Sequence, residues 1–150
     1  MEAKYSAFDI ANYFLFKSQE DGQELLSNLK LQKLVYYAQG LHFVLFDIPL
    51  FSEEIEAWTY GPVIPELYHK YKDNESNGIP PDEDFNPSKI IDEETRNFLD
   101  EVYEAFGQFS AVRLMDIAHN DECWKETEVG NKIELSSMKC LKKYIQDDQG

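Results

Sequence analysis

The run LKLQKLVYYAQGLHFVLF, Leu29 to Phe46, decides the fold. Leu31, Leu34, Val35, Ala38, Leu41, His42 and Leu45 recur at steps of three and four, the helical period sustained over about four turns. Buried at about 1.5–3 kcal/mol each, such side chains contribute on the order of ten kcal/mol before chain entropy offsets most of it. The spacing therefore predicts a central helix, with Asn28 as its cap and His42 as a hydrogen-bonded core histidine. Pro49 forbids its continuation and pushes Ile48 toward extended geometry. Lys30, Gln32, Lys33, Gln39 and His42 interrupt the run, so it does not read as a membrane span.

Shorter helices are expected around this one. Ser6 caps a first helix with Ala7, Ile10, Ala11, Phe14 and Leu15 on one face, ending near Gln19 before the turn EDGQ. Ile55 and Ala57 alternate with Glu54 and Glu56, a few extended residues and no full sheet. A helix over Pro65–Lys72 buries Leu67, Tyr68 and Tyr71. Asp92 caps another, striped by Phe98, Leu99, Val102, Tyr103 and Phe106 and stopped by Gly107, and Ser110 caps the next. Trp124 anchors a short turn or helix, GNKIEL gives a turn and an extended pair, and Ser136 or Ser137 caps a last helix with Met138, Leu141, Tyr144 and Ile145. The expected fold is mainly α, a compact single domain over 1–150 with about six to seven helices and at most a minor β element. Residues 73–91, rich in proline and poor in apolar period, read as a mobile acidic loop.

A chain of 150 residues can bury about 70% of its unfolded surface. Its 14 basic and 29 acidic residues give a formal charge of -15, which repels phosphate backbones and anionic lipids and argues against direct nucleic-acid or membrane binding. Two cysteines and a start, MEAKYSAFDIANYFLF, without the features of a signal peptide fit reduced thiols in a cytosol. Charge concentrates at Asp73, Glu75, Asp82, Glu83, Asp84, Asp92, Glu93, Glu94, Asp100, Glu101 and Glu104, as a solvated loop or as a surface that steers a basic partner.

The chain has no glycine-rich phosphate loop, nucleophile elbow or paired CxxC motif, and nothing in it asks for a cofactor. His119, Cys123 and Cys140 suggest zinc only weakly, because no fourth ligand stands at a telling spacing. Glu56, Glu66 and His69 could form an acid–base set beside the aromatics, but a helical-turn spacing of Glu66 and His69 is equally that of an exposed surface pair. No catalytic or metal residue is assigned.

EAWTYGPVIPELY, Glu56 to Tyr68, is the stretch most suggestive of function. Pro62 and Pro65 fix their own φ and restrict Gly61 and Ile64, so Tyr60–Pro65 is a stiff elbow with little entropy to lose. Trp58, Tyr60 and Tyr68 around it can lock helices together or present a contact surface of the kind that dominates protein interfaces.

KLQKLVYYAQGLHF (Lys30–Phe43), PLFSEEIEAWTYGPVIPELYHKYK (Pro49–Lys72) and FGQFSAVRLMDIAHNDECW (Phe106–Trp124) together resemble the SocA-type antitoxin family, or Panacea domain, which includes phage-associated proteins named GepA. The resemblance implies a helical domain, bacterial or phage-encoded, that neutralises a toxin, usually encoded beside it, by direct protein contact. In one branch the antitoxin also delivers the toxin to a cytosolic AAA+ protease. Lys33, Tyr37, Gln39, Trp58, Tyr60, Gly61, Pro62, Pro65 and Tyr68 lie on the shared motifs and are the candidate partner-binding residues. The family often carries a proline just before the tryptophan of the last block, where this chain has Cys123. Two other readings stand beside the antitoxin: a hydrolytic or nucleotide-modifying enzyme using Glu56, Glu66 and His69, and an acidic mimic of nucleic acid that occupies a DNA-binding protein.

Overall fold

The computed structural model describes residues 3–22, 25–74 and 77–145, so Gln23 of the EDGQ turn and Glu75 of the acidic set lie outside the described residues. Helix α1 spans Ala7–Glu20, and Ser6 forms a reciprocal capping box with Asp9. Helix α2, Asn28–Phe46, is capped one residue earlier than its sequence suggests: the Ser27 hydroxyl accepts from the Lys30 N–H at 3.3 Å. The Asn28 side chain is then free to act inside the helix, accepting from Gln32 and donating to the Tyr68 carbonyl.

α2 is the central element, touched by α1 and by the elements that begin at Gly61, Pro65, Glu93, Ala111 and Leu135. From Leu31 to Phe43 each residue is buried, polar ones included. That is possible because the polar groups are paired. Gln39 donates to the Phe51 carbonyl at 2.7 Å and accepts from the N–H groups of Leu50 and Phe51, closing the chain at 50–51 onto the helix as a strand partner would. His42 is the expected core histidine, with Nδ1 at 2.9 Å from the Ile48 carbonyl, and burial pulls its pKa below the usual value. Leu45, by contrast, falls on the apolar face by spacing but is 48% exposed, because it lines an open groove instead of a packed helix.

After α2, strands β1 (Glu56–Trp58) and β2 (Gly61–Val63) pair antiparallel with Ala57 opposite Pro62. The outer side of β1 is taken by the 130–133 segment, where Gly130 donates to the Ala57 carbonyl and Ile133 to that of Ile55. Helix α3 runs Pro65–Tyr71 with proline in its first turn and continues as a short 3-10 turn, Lys72–Asn74.

The proline-rich stretch that follows has more order than its composition suggests. Ile79 is buried and donates to the Leu26 carbonyl, Asp82 exchanges hydrogen bonds with the Asn12 amide, and Pro87–Ile90 forms one turn, α4. Helices α5 (Glu93–Phe106), α6 (Ala111–His119) and α7 (Glu122–Lys125) come next, with Asp92 and Ser110 capping α5 and α6 as their sequences indicate. The last segment, Leu135–Tyr144, is a 3-10 helix that starts after Glu134, one or two residues before the Ser136 or Ser137 cap expected of it and without a side-chain cap. Met138, Leu141 and Tyr144 are three apart, and three residues per turn stacks them on one side, against α2. Gly40 allows that approach, since a Cβ there would run into the Leu141 side chain. The fold is mainly α with one small hairpin, and no described helix is long and apolar enough to cross a membrane.

Candidate partner-binding site

The hairpin β1–β2 and the start of α3 together make the stiff elbow. Its tip needs a backbone that only glycine adopts easily: Gly61 has φ +106°, and a Cβ there would lie 2.9 Å from Cε of Lys33. Trp58 and Tyr68 meet edge to face with ring centroids 5.1 Å apart, and the Trp58 indole donates to Glu56 Oε1 at 2.9 Å. With Leu29, Tyr60, Val63 and Lys72 these rings line an open cleft of about 360 Å³. Tyr60 stands 64% exposed at its edge.

The candidate residues divide by depth. Trp58, Tyr60, Pro65 and Tyr68 reach the surface, whereas Lys33, Tyr37, Gln39, Gly61 and Pro62 are buried beneath it. Ile64 is held from below by Gln32, whose Oε1 accepts from its N–H at 2.9 Å. Glu66 and His69 lie on the exposed side of α3, and the Glu56 carboxylate is occupied by the indole.

Lys33 is the most unusual of the buried set. Its side chain is fully inside, donating to the Pro62 carbonyl at 3.2 Å, with no ion-pair partner among the described residues. Burial draws its pKa from 10.5 down to about 7. The unfolded chain keeps that proton to higher pH than the folded one, so the penalty is full below pH 7 and fades as pH rises toward 10.5. Denaturant unfolding is expected to show a gain of about 2 kcal/mol between pH 7 and pH 9 that Lys33→Met lacks.

A second layer braces the hairpin from the side, and sequence reasoning missed it. The Trp124 indole donates to the Trp58 carbonyl at 3.0 Å, and His119 Nε2 lies 3.0 Å from the Thr59 carbonyl, with the two rings packed at 4.4 Å. A carbonyl only accepts, so Nε2 carries the proton. His119 thus steadies backbone, and the described residues contain no cluster of three or more potential metal ligands. Cys123 and Cys140 are free thiols, and Cys140 Sγ accepts from the Cys123 backbone N–H at 3.3 Å. Burial raises the Cys123 thiol pKa well above normal.

Between these residues sits Asp121, fully buried. Its Oδ2 accepts from the hydroxyls of Tyr36 and Tyr37 at 2.9 Å each, and its Oδ1 accepts from Tyr144 at 2.6 Å and faces Lys143 Nζ at 3.2 Å. Burial first, then this carboxylate, hold the Tyr36 and Tyr37 hydroxyls protonated, as donors. One carboxylate therefore ties α2, the α6–α7 turn and the 3-10 helix together behind the hairpin. The sequence signal was available in principle: two adjacent tyrosines on an all-round-buried helix need acceptors.

These features define a helical domain carrying a rigid, braced aromatic hairpin at its surface. The family described as antitoxin SocA-like, Panacea domain, matches residues 31–125, from the first turn of α2 to the end of α7, and the chain belongs to that family. Antitoxin SocA of Caulobacter vibrioides (strain NA1000 / CB15N) is 45% identical over 49 residues, 33% of this chain. The matched stretch spans 26% of that relative's length. No solved structure matches. Cys123 occupies the first turn of α7, where proline would also fit but would lack the N–H that bonds Cys140 Sγ.

Proposed function

We propose that this chain is an antitoxin that neutralises a cognate toxin by gripping it with the hairpin elbow. The supporting observation is the juxtaposition of an exposed aromatic rim, Trp58, Tyr60 and Tyr68, with a foundation that leaves it almost no freedom to lose on binding. Lys33, Gly61 and Pro62 shape that rim from beneath, Gln39 holds the chain at 50–51 ahead of the hairpin, and Tyr37 bonds Asp121 behind it. Family membership points to a toxin as the class of partner, and the product of the adjacent gene is the candidate.

Co-expression with the product of the adjacent gene tests the idea. The two proteins are expected to co-purify and growth to be restored. Tyr60→Ala and Trp58→Ala are each expected to weaken the complex by about 2 kcal/mol, roughly 30-fold by calorimetric titration. Because Tyr60 is 64% exposed, its removal should leave the unfolding midpoint unchanged. Wild-type affinity in both variants would remove the hairpin from the interface.

A further inference from the structure

A second surface lies at the other end of α2. There, Leu41 and Leu45 of α2 face Val102, Ala105 and Phe106 of α5 across an open apolar groove of about 590 Å³, closed at one side by Ile145. Leu45 is 48% exposed and its neighbour Phe46 44%. Two helices packed side by side leave between them a furrow into which the ridge of a third helix fits. Phe98 borders both this groove and an adjoining cleft that reaches Phe46 and Glu94, so the apolar strip follows α5 from Glu94 to Ala105, about 16 Å or three turns.

Charge selects the occupant. Glu101 is the charged residue of the groove wall and Glu94 that of the adjoining cleft nearest Phe98, and neither has an ion pair among the described residues. In that same cleft Asp92 pairs with Lys4, and elsewhere on α5 Asp100 pairs with Lys17. Glu93 and Glu104 of α5 also have no ion pair among the described residues, so the apolar strip runs beside carboxylates without cations in a chain of net charge -15. A second copy of the chain would bring carboxylate against carboxylate, which disfavours it.

We propose that the α2–α5 groove docks an amphipathic helix of a protein partner, its apolar ridge on Leu41, Leu45, Val102 and Ala105 and its flanking lysines or arginines on Glu94 and Glu101. The site goes beyond the hairpin reading and does not rest on it. Leu29 at the hairpin cleft and Leu45 in the groove are sixteen residues apart on one helix, about 24 Å, so both sites can be filled at once.

The probe is a fluorescein-labelled 18-residue peptide with leucines at helical positions i, i+3, i+4 and i+7 flanked by lysines. Its scrambled isomer and a version with glutamate for lysine serve as controls, titrated by anisotropy against the full chain. Leu45→Gln is expected to weaken binding about tenfold and Glu101→Lys severalfold. Glu66→Lys, the same charge change on exposed α3, and Tyr60→Ala should change nothing. Equal binding of the scrambled isomer, or equal affinity in Leu45→Gln and Glu101→Lys, would overturn the proposal. So would a concentration-dependent dimer abolished by Leu45→Gln, which would make the groove a self-association face.

Discussion

Asp121→Ala is expected to cost about 3–5 kcal/mol of folding stability, the largest effect of any single substitution considered. The replacement leaves Tyr36 and Tyr37, both fully buried, and Tyr144 as donors without the carboxylate that received them, and Lys143 without its counter-charge. An unmet buried hydroxyl costs about 1–3 kcal/mol, and three are affected, with some recovered where Tyr36 keeps Cys123 Sγ at 3.1 Å and where Tyr144 and Lys143 reach water. Tyr144→Phe is the calibrating variant. It removes one donor and leaves the acceptor two others, so a loss of about 1 kcal/mol is expected. Urea unfolding measures both, and a shift below 1 kcal/mol for Asp121→Ala would show that α2, the α6–α7 turn and the 3-10 helix are not tied through this residue.

Gly61→Val is expected to cost about 2–4 kcal/mol and to disable the hairpin as well. A β-branched residue at φ +106° is strained in itself, and its Cβ would press on Lys33 Cε, part of a side chain that burial prevents from swinging away. The two terms separate experimentally. Lys33→Ala removes the obstructing carbon, so the double variant Gly61→Ala/Lys33→Ala should be more stable than the sum of its parts by about 1 kcal/mol. Strict additivity would mean that only the backbone conformation matters. Because Gly61 sits between the rings and the buried lysine, its replacement should also reduce partner affinity, whereas Tyr60→Ala should reduce affinity alone.

Much of the helical framework was legible because it obeys local rules. Ser6, Asp92 and Ser110 cap where their side chains can accept from the third residue on, and the α5 stripe of Phe98, Leu99, Val102 and Phe106 is buried as a stripe should be. The failures are equally physical. α2 was read as one apolar face with polar interruptions, but Gln32, Lys33 and Gln39 are buried too, because each meets a backbone group of a segment distant in sequence. Periodicity carries no information about such partners. The 3-10 geometry of Leu135–Tyr144 was missed for a related reason, since Met138, Leu141 and Tyr144 satisfy either helical period over so short a span.

The elbow itself was visible in the prolines and rings of EAWTYGPVIPELY, while its foundation was not. His119 and Trp124 act on the carbonyls of Thr59 and Trp58, sixty and more residues away in sequence, and a single chain gives no sign of that pairing. The groove beside α5 is the converse case. Leu45 was placed in the core by spacing, and its exposure is what marks the surface as unfilled.

The central claim is that the protein works by holding its partner in a fixed ratio, with the hairpin as the grip. The most direct measurement titrates the purified product of the adjacent gene, in an assay of its toxic activity, with this protein. Inhibition is expected to be complete at a fixed mole ratio near one complex per toxin, and Tyr60→Ala should move the curve to concentrations roughly 30-fold higher. Protection by a small fraction of an equivalent, continuing with time and unchanged in Tyr60→Ala, would contradict the account and make the protein a catalyst instead.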